Sequence, residues 1–492
     1  MPSRRVRLAV YLAALVVAGG CDTSQSLISG NQRLYAYSWT EEVALGQEAD
    51  PEISEEMGIY DDPALTAYVA RVGAIVLAES HVRRPDSPPE VRATPFTFRV
   101  LDSPDINAFA LPGGYVYVTR GLLAHLGSEA ELAVVLGHEV GHIAGRHASQ
   151  RMLEAGLVMV GAAGAGLVAE LIKEDAGQYV MAAGMLGGNL FLMGHSRGHE
   201  SESDRLGVEY AAKAGYRAAD GAGPFATFRR LRERDGGLPT FLSTHPDPGQ
   251  REETIRQLAA EWAARGVRQD RDGAADFLAM IDGVVLGPDP RQGYVEDGVY
   301  VLPPAALRFE APAGWTEVLA PRQVAFALEG GQAMLQFKRR AETTARAAVA
   351  QMLTDHGMTA EDHGAASVGG RVGYVATARL GETDDALRAR IWAVERPDGV
   401  WAFLGAAAPS EFARHDDVFD RAARTLTTAS RAEVDVEPAR LRVVRADRSG
   451  PFRTFLPATL PEGLTDSDLA ILNGVDLDEV VVSGRALKLP RP

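Results

Sequence analysis

HEVGHIAGRH, residues 138–147, sets three histidines and a glutamate in ten positions, and its reading decides the rest of the chain. On a helix His138 and His142 lie four apart, so both imidazoles leave one face toward a single ion. The first five residues match the zinc signature HExxH, with Glu139 the candidate general base toward a water at the metal. His147 is harder to place. A helix turns about 100° per residue, so nine residues beyond His138 it has turned roughly half a revolution. On a continuing helix His147 therefore points away from the metal. A ligand in the pattern HExxHxxGxxH would fall one residue later, at Ala148. The third ligand has to come from elsewhere.

Working outward, Ser128 to Glu131 reads as a capping box, in which the Ser128 hydroxyl and the Glu131 carboxylate satisfy free N–H groups. It predicts a helix from there through the zinc signature to about Arg151. Upstream, two helical patterns occupy 41–57 and 63–80, and FTFRVL at 96–101 alternates as a strand. NAFALPGGYVYVT, 107–119, is two strand-like runs around Pro112-Gly113-Gly114, a hairpin. Downstream, 155–169 and 179–194 are apolar but only about 15 residues each, against roughly 20 needed to cross a bilayer. They read as buried helices or a lid over the site.

The missing ligand is sought in HESESD, 199–204. Glu200 and Asp204 stand four apart and share a helix face, so one can bind the metal while the other orients a ligand histidine through its free N–H. Glu202 lies about 200° around from Glu200 and is expected to face solvent.

With 492 residues the chain is too long for one ordinary core and predicts two to four domains. Its net charge of −16 argues against nucleic acid, whose phosphates would be repelled. Residues 1–20 run from Arg4, Arg5 and Arg7 through LAVYLAALVVAGG to Cys21. A basic start, an apolar run and small residues before a cysteine resemble a bacterial lipoprotein signal, with Cys21 the lipidation site and 21–40 a tether. As the single cysteine, it leaves no partner for an intramolecular disulfide.

NAFALPGGYVYVTRGLL, GHEVGHIAGRH, the helix carrying Glu200 and Asp204, and STHPDPGQR together resemble metallopeptidase family forty-eight. That family comprises CAAX prenyl endopeptidases, bacterial heat-shock membrane proteases and periplasmic relatives. The resemblance covers roughly residues 40–265. It implies one zinc per chain on His138, His142 and Glu200, Glu139 as catalytic base, and Asp204 beside the ligands. Ser203 stands where the family usually has alanine. The strand with Asn107, Ala108, Phe109 and Ala110 resembles an edge on which a peptide substrate lies in strand-addition mode. His245 and Arg251 resemble a loop reaching the active site. His245 either covers the zinc as a reversible plug or helps stabilise the oxyanion, and Arg251 is a candidate for the latter.

The expected architecture is multidomain α+β. A mainly helical gluzincin-type zinc metallopeptidase domain (41–270) with a small edge-strand sheet is followed by an α+β domain (285–432). A tail (438–490) resembles the second half of a LysM repeat. The expected function is a lipid-anchored, periplasm-facing endopeptidase of the bacterial cell envelope, on the inner or outer membrane. Its substrates would be misfolded or misassembled envelope proteins, with peptidoglycan or assembly machinery as further candidate partners. The alternative is a latent, plugged protease acting as an envelope chaperone or binding lipoprotein.

Overall fold

A computed structural model describes residues 22–154, 195–235, 240–245, 250–320, 323–380, 386–461 and 463–491. The signal-like segment with Cys21 and the apolar stretches 155–169 and 179–194 lie outside the described residues. The described chain forms two compact units, Asp289–Pro438 and the remainder. Among the described residues no helix is long and apolar enough to cross a membrane.

The remainder begins with a hairpin where a tether was expected. Strand β1 (Asp22–Gln25) pairs antiparallel with β2 (Gln32–Tyr35), setting Asp22 opposite Tyr35 and Ser24 opposite Arg33. Side chains alternate across a strand, so Asp22, Ser24, Arg33 and Tyr35 share one face. Tyr35 on that face is 1% exposed, and Leu34 on the other is 56% exposed.

Helix α1 (Trp39–Met57) opens with a capping box between Ser38 and Glu41. Helix α2 (Pro63–Ala78) starts from an Asp62 cap with proline in its first turn, where a missing N–H costs nothing. A three-stranded sheet follows: β3 (Thr97–Leu101), β4 (Ala108–Leu111) and β5 (Tyr115–Thr119), in the order β3-β5-β4. The β4–β5 turn needs its glycines, since Gly113 and Gly114 hold φ of +80° and +104°. Strand β4 is thus an edge.

Helix α3 (Glu129–Gly145) carries the zinc signature and is buried along nearly its whole length. Ser128 caps it by accepting from the Glu131 N–H, but the Glu131 carboxylate accepts from Gly127 N rather than Ser128 N. Only half of the expected box forms. The helix also stops earlier than the expected Arg151. Arg146 takes the left-handed conformation (φ 56°), and residues 147–154 form a separate helical turn sequence after it.

Helix α4 (Arg197–Lys213) packs on α3 at a backbone-to-backbone contact. A Cβ built on Gly207 would stand 2.8 Å from His138 N and 2.9 Å from Val134 O. One built on Gly137 would stand 2.9 Å from Gly207 O. Short helix α5 (Thr240–Thr244) and helix α6 (Arg251–Ala264) complete the surroundings of the site.

The tail belongs to this unit. Strand 440–445 pairs with 486–491, a helix spans Asp466–Leu472, and Leu469, Leu472, Val475 and Leu487 share the core of α2 and α3. The amine of buried Lys488 donates to Ala124 O and Leu126 O at 2.7 and 2.9 Å. Asn473 bonds the backbone N–H and C=O of Lys488, tying the tail helix to its strand.

In the second unit a seven-stranded antiparallel sheet is covered on both faces. Helix Ala345–Asp355 packs on the face bearing Ile391 and Ala393, and helix Pro409–Arg424 on the face bearing Trp392 and Val394. A four-stranded sheet joins the latter core.

The α3–α4 contact generates a prediction. Gly207→Ala forces a methyl into backbone atoms that cannot rotate away, so stability should fall by about 1–3 kcal/mol. Gly198→Ala, whose Cβ meets nothing nearer than 3.8 Å, should be neutral or mildly stabilising. Thermal unfolding of the two variants side by side checks this.

Candidate metal centre

Glycine-mediated packing brings α4 onto α3 so that Glu200 faces the HExxH histidines. His138 Nε2 and His142 Nε2 are 2.9 Å apart and lie 3.5 and 3.3 Å from the two Glu200 oxygens. His245, at the end of α5, places Nδ1 3.2 Å from both His138 Nε2 and Glu200 Oε1. All four residues are buried, and their ligand atoms lie within 4.8 Å of one another. Among the described residues this is the one group of His, Cys, Asp and Glu arranged to hold a metal.

The donor set fits zinc: imidazole nitrogens and a carboxylate converging in a buried spot, where unpaired polar groups would otherwise be costly. The electrostatics agree. Burial disfavours the charged form of His138, but hydrogen bonds to Asp204 and Glu200 outweigh it and lift its pKa to about 9. Burial would likewise raise Glu200, but the charge of His245 and hydrogen bonds from the three histidines hold it far below the usual carboxylate range. His138 thus carries positive charge that offsets Glu200, and a bound dication would supply that charge instead.

Glu139 differs from the other carboxylates of the site. Both its oxygens are buried without a hydrogen-bond partner, and burial pushes its carboxyl up. His245 Nε2 stands 3.7 Å from its Oε1.

Asp204 accepts from His138 Nδ1 at 3.0 Å. Arg251, only 2% exposed, places Nε 2.8 Å from Asp204 Oδ2 and Nη1 3.2 Å from Glu200 Oε2, with Nη2 on Asp204 Oδ1. Its guanidinium also lies 4.3 Å over the Phe225 ring. It therefore sits behind the carboxylates of α4.

The expected peptide edge is partly occupied. His245 Nε2 lies 3.2 Å from Ala108 O, Phe241 N donates to Ile106 O, and Thr244 Oγ1 reaches Asn107 Oδ1 at 3.4 Å. Asn107 precedes β4, and its own carbonyl accepts from Thr119 N. Phe109 stacks on Tyr117, and Ala110 lines a crevice of only about 10 Å³ beside His142, with Leu111, Pro112 and His195. That is room for about one water.

His147 does not point away. Because α3 ends at Arg146, its ring folds back, with Nδ1 3.0 Å from His142 Nδ1 and Nε2 3.0 Å from Glu202 Oε2. It stands behind a cluster histidine, outside the four-residue group. Glu202, expected in solvent, is half-buried by this contact and by Arg33 at 3.5 Å. The sequence reading also missed His195, whose ring centroid is 4.0 Å from that of His142, and His199, stacked on His147 at 4.3 Å. Both histidines of HSRGHESESDRLGVEYAAKAGY were visible, but helical periodicity offers no reason to turn His195 toward the site.

Residues 63–259 match the model of Peptidase family M48. The beta-barrel assembly-enhancing protease of Escherichia coli is 27% identical over 44% of this chain and 43% of its own. The mitochondrial metalloendopeptidase OMA1 of Bos taurus is 33% identical over 35% of this chain and 34% of its own. Metalloprotease LoiP of Escherichia coli is 28% identical over 51% of this chain and 94% of its own. The chain thus spans less than half the length of the first two.

Glu200→Gln should cost the centre its anionic ligand and leave sub-stoichiometric zinc, measured by metal analysis of the purified protein. Asp204→Ala should keep the ligands yet weaken zinc about 10–100-fold.

Proposed function

We infer from the match of residues 63–259 to the model of peptidase family M48 that the whole chain acts as a zinc-dependent endopeptidase of the bacterial cell envelope. The observation that carries this reading is the converging set His138, His142 and Glu200, with Glu139 unpartnered beside it. Zinc, when bound there, supplies a Lewis acid that acidifies a water and polarises a carbonyl. Glu139 takes the proton from the attacking water and delivers it to the leaving nitrogen. Its lack of any hydrogen-bond donor leaves the carboxylate free for that work. Asp204 keeps His138 turned toward the metal, and Arg251 neutralises the α4 carboxylates and holds them in place.

His245 closes the site in this state. It fills the fourth position of the cluster and takes the Ala108 carbonyl that an added substrate strand would use. For a peptide to pair along Ala108–Ala110, the 240–245 segment has to withdraw. This supports the reading of a latent protease whose opening is part of its function, with His245 as its plug.

The relatives named for beta-barrel assembly point to envelope polypeptides as substrates. The lipoprotein-like start supports attachment to a membrane through Cys21, and the LysM-like pattern of the tail supports a glycan-facing module.

Glu139→Gln should bind zinc stoichiometrically and lose about 10²–10⁴-fold in casein cleavage. His245→Ala should retain zinc and cleave faster than the native chain. Equal or slower cleavage by a zinc-loaded His245→Ala protein would remove the plug. Cys21→Ser should abolish acyl labelling and release the protein to the soluble periplasmic fraction.

A further inference from the structure

Each HExxH imidazole has a different support behind it. His138 rests directly on Asp204, which is paired with Arg251. Among the described residues no carboxylate stands against His142 Nδ1. Instead Nδ1 meets His147 Nδ1 at 3.0 Å, His147 Nε2 meets Glu202 Oε2 at 3.0 Å, and Glu202 is paired with Arg33 of the N-terminal hairpin at 3.5 Å.

The chain of contacts determines where the hydrogens sit. An ionised Glu202 only accepts, so His147 Nε2 carries a hydrogen. In the neutral ring Nδ1 of His147 then has a lone pair, and His142 Nδ1 donates to it. His142 Nε2 is left with its lone pair facing His138 and Glu200, the form a metal requires. Reversing any link would put a hydrogen on His142 Nε2, pointed into the site.

The hairpin also holds the turn that makes this possible. A non-glycine residue in the left-handed region is strained, because its Cβ crowds the following carbonyl oxygen. Arg146 is held there by Glu42 at 2.8 Å, Asp22 at 3.1 Å and Ser24 at 2.8 Å, by the Tyr37 carbonyl, and by the Tyr35 ring 3.8 Å beneath its guanidinium. Three of those residues lie on the inward face of β1 and β2. The same face presents Arg33 to Glu202.

We propose that the hairpin 22–35 is the outer wall of the metal centre, with Arg33, Glu202 and His147 as positioning residues that set the tautomer and orientation of His142. This rests on His142 being a zinc ligand. The hairpin and the metal are thereby coupled through three contacts.

The test is zinc affinity of the full chain in detergent, by competition with a chromogenic chelator, together with the visible absorption of the cobalt(II)-substituted protein. Glu202→Ala should weaken zinc about 10–100-fold and shift the cobalt bands. Glu202→Asp should recover part of the affinity. Arg33→Glu, a change at a side chain one-third exposed, should weaken zinc in the same direction by a smaller factor. If Glu202→Ala does not fold, Arg33→Glu decides. Unchanged affinity and spectrum in folded variants would overturn the proposal and leave the hairpin as packing alone. His142→Ala separates the two levels: full zinc binding there would sink the metal-centre reading itself. Loss of zinc there, with Glu202→Ala and Arg33→Glu unaffected, would sink only the relay.

Discussion

Two helix backbones touch where Gly207 of α4 meets Val134, Gly137 and His138 of α3, and the centre exists because they do. Ordinary helix pairs stay 8–10 Å apart because side chains separate them. Here the missing side chains let α4 settle against the HExxH turn, with Gly141 against Ser203 and Leu206 continuing the contact. Glu200 and Asp204, one turn apart on α4, then reach the two rings that α3 presents one turn apart. The spacing of four on each helix is useful only at this separation. A shift of about an ångström would part the rings from the carboxylates.

So close an approach buries charge, and buried charge has to be answered locally. Glu200 is answered by three imidazoles and Arg251, Asp204 by His138 and Arg251, and Glu202 by His147 and Arg33. Each acidic residue of HESESD beyond the site's centre therefore has an arginine from a distant part of the chain behind it. Beside these paired carboxylates Glu139 is conspicuous, with both oxygens buried and neither hydrogen-bonded. A carboxylate buried without donors is poorly stabilised as an ion, which raises its affinity for a proton. That property suits a base which must also give the proton back.

The zinc signature, the β4–β5 hairpin and the Glu200/Asp204 face were legible because each depends on spacing within one element. Where long-range contacts overrule spacing, the reading failed. Nothing local marks Arg146 as the end of α3, since an arginine seldom adopts positive φ. It is the clasp from Glu42, Asp22 and Tyr35, more than a hundred residues away, that stabilises the turn. Extending the helix through that point placed His147 on the wrong side of His142. Glu202 followed from the same error: helical geometry does turn it away from Glu200, but toward His147 and Arg33 rather than water. Residues 22–35 look like linker in composition, being rich in serine and polar residues, and only their alternation of inward and outward side chains betrays a strand pair.

The hairpin has a mechanical meaning as well. A flexible leash of about 20 residues would let a domain wander roughly 25 Å from its point of attachment. With Asp22 fastened to buried Arg146, that slack is absent from the described chain. Whatever holds Asp22 holds the end of α3 at almost the same point. A lipid at Cys21 would set the active site at one height above the bilayer, and the choice of substrate would become partly a matter of altitude. Polypeptides whose exposed segments emerge at that level would be met, and those displayed farther out would pass beyond reach.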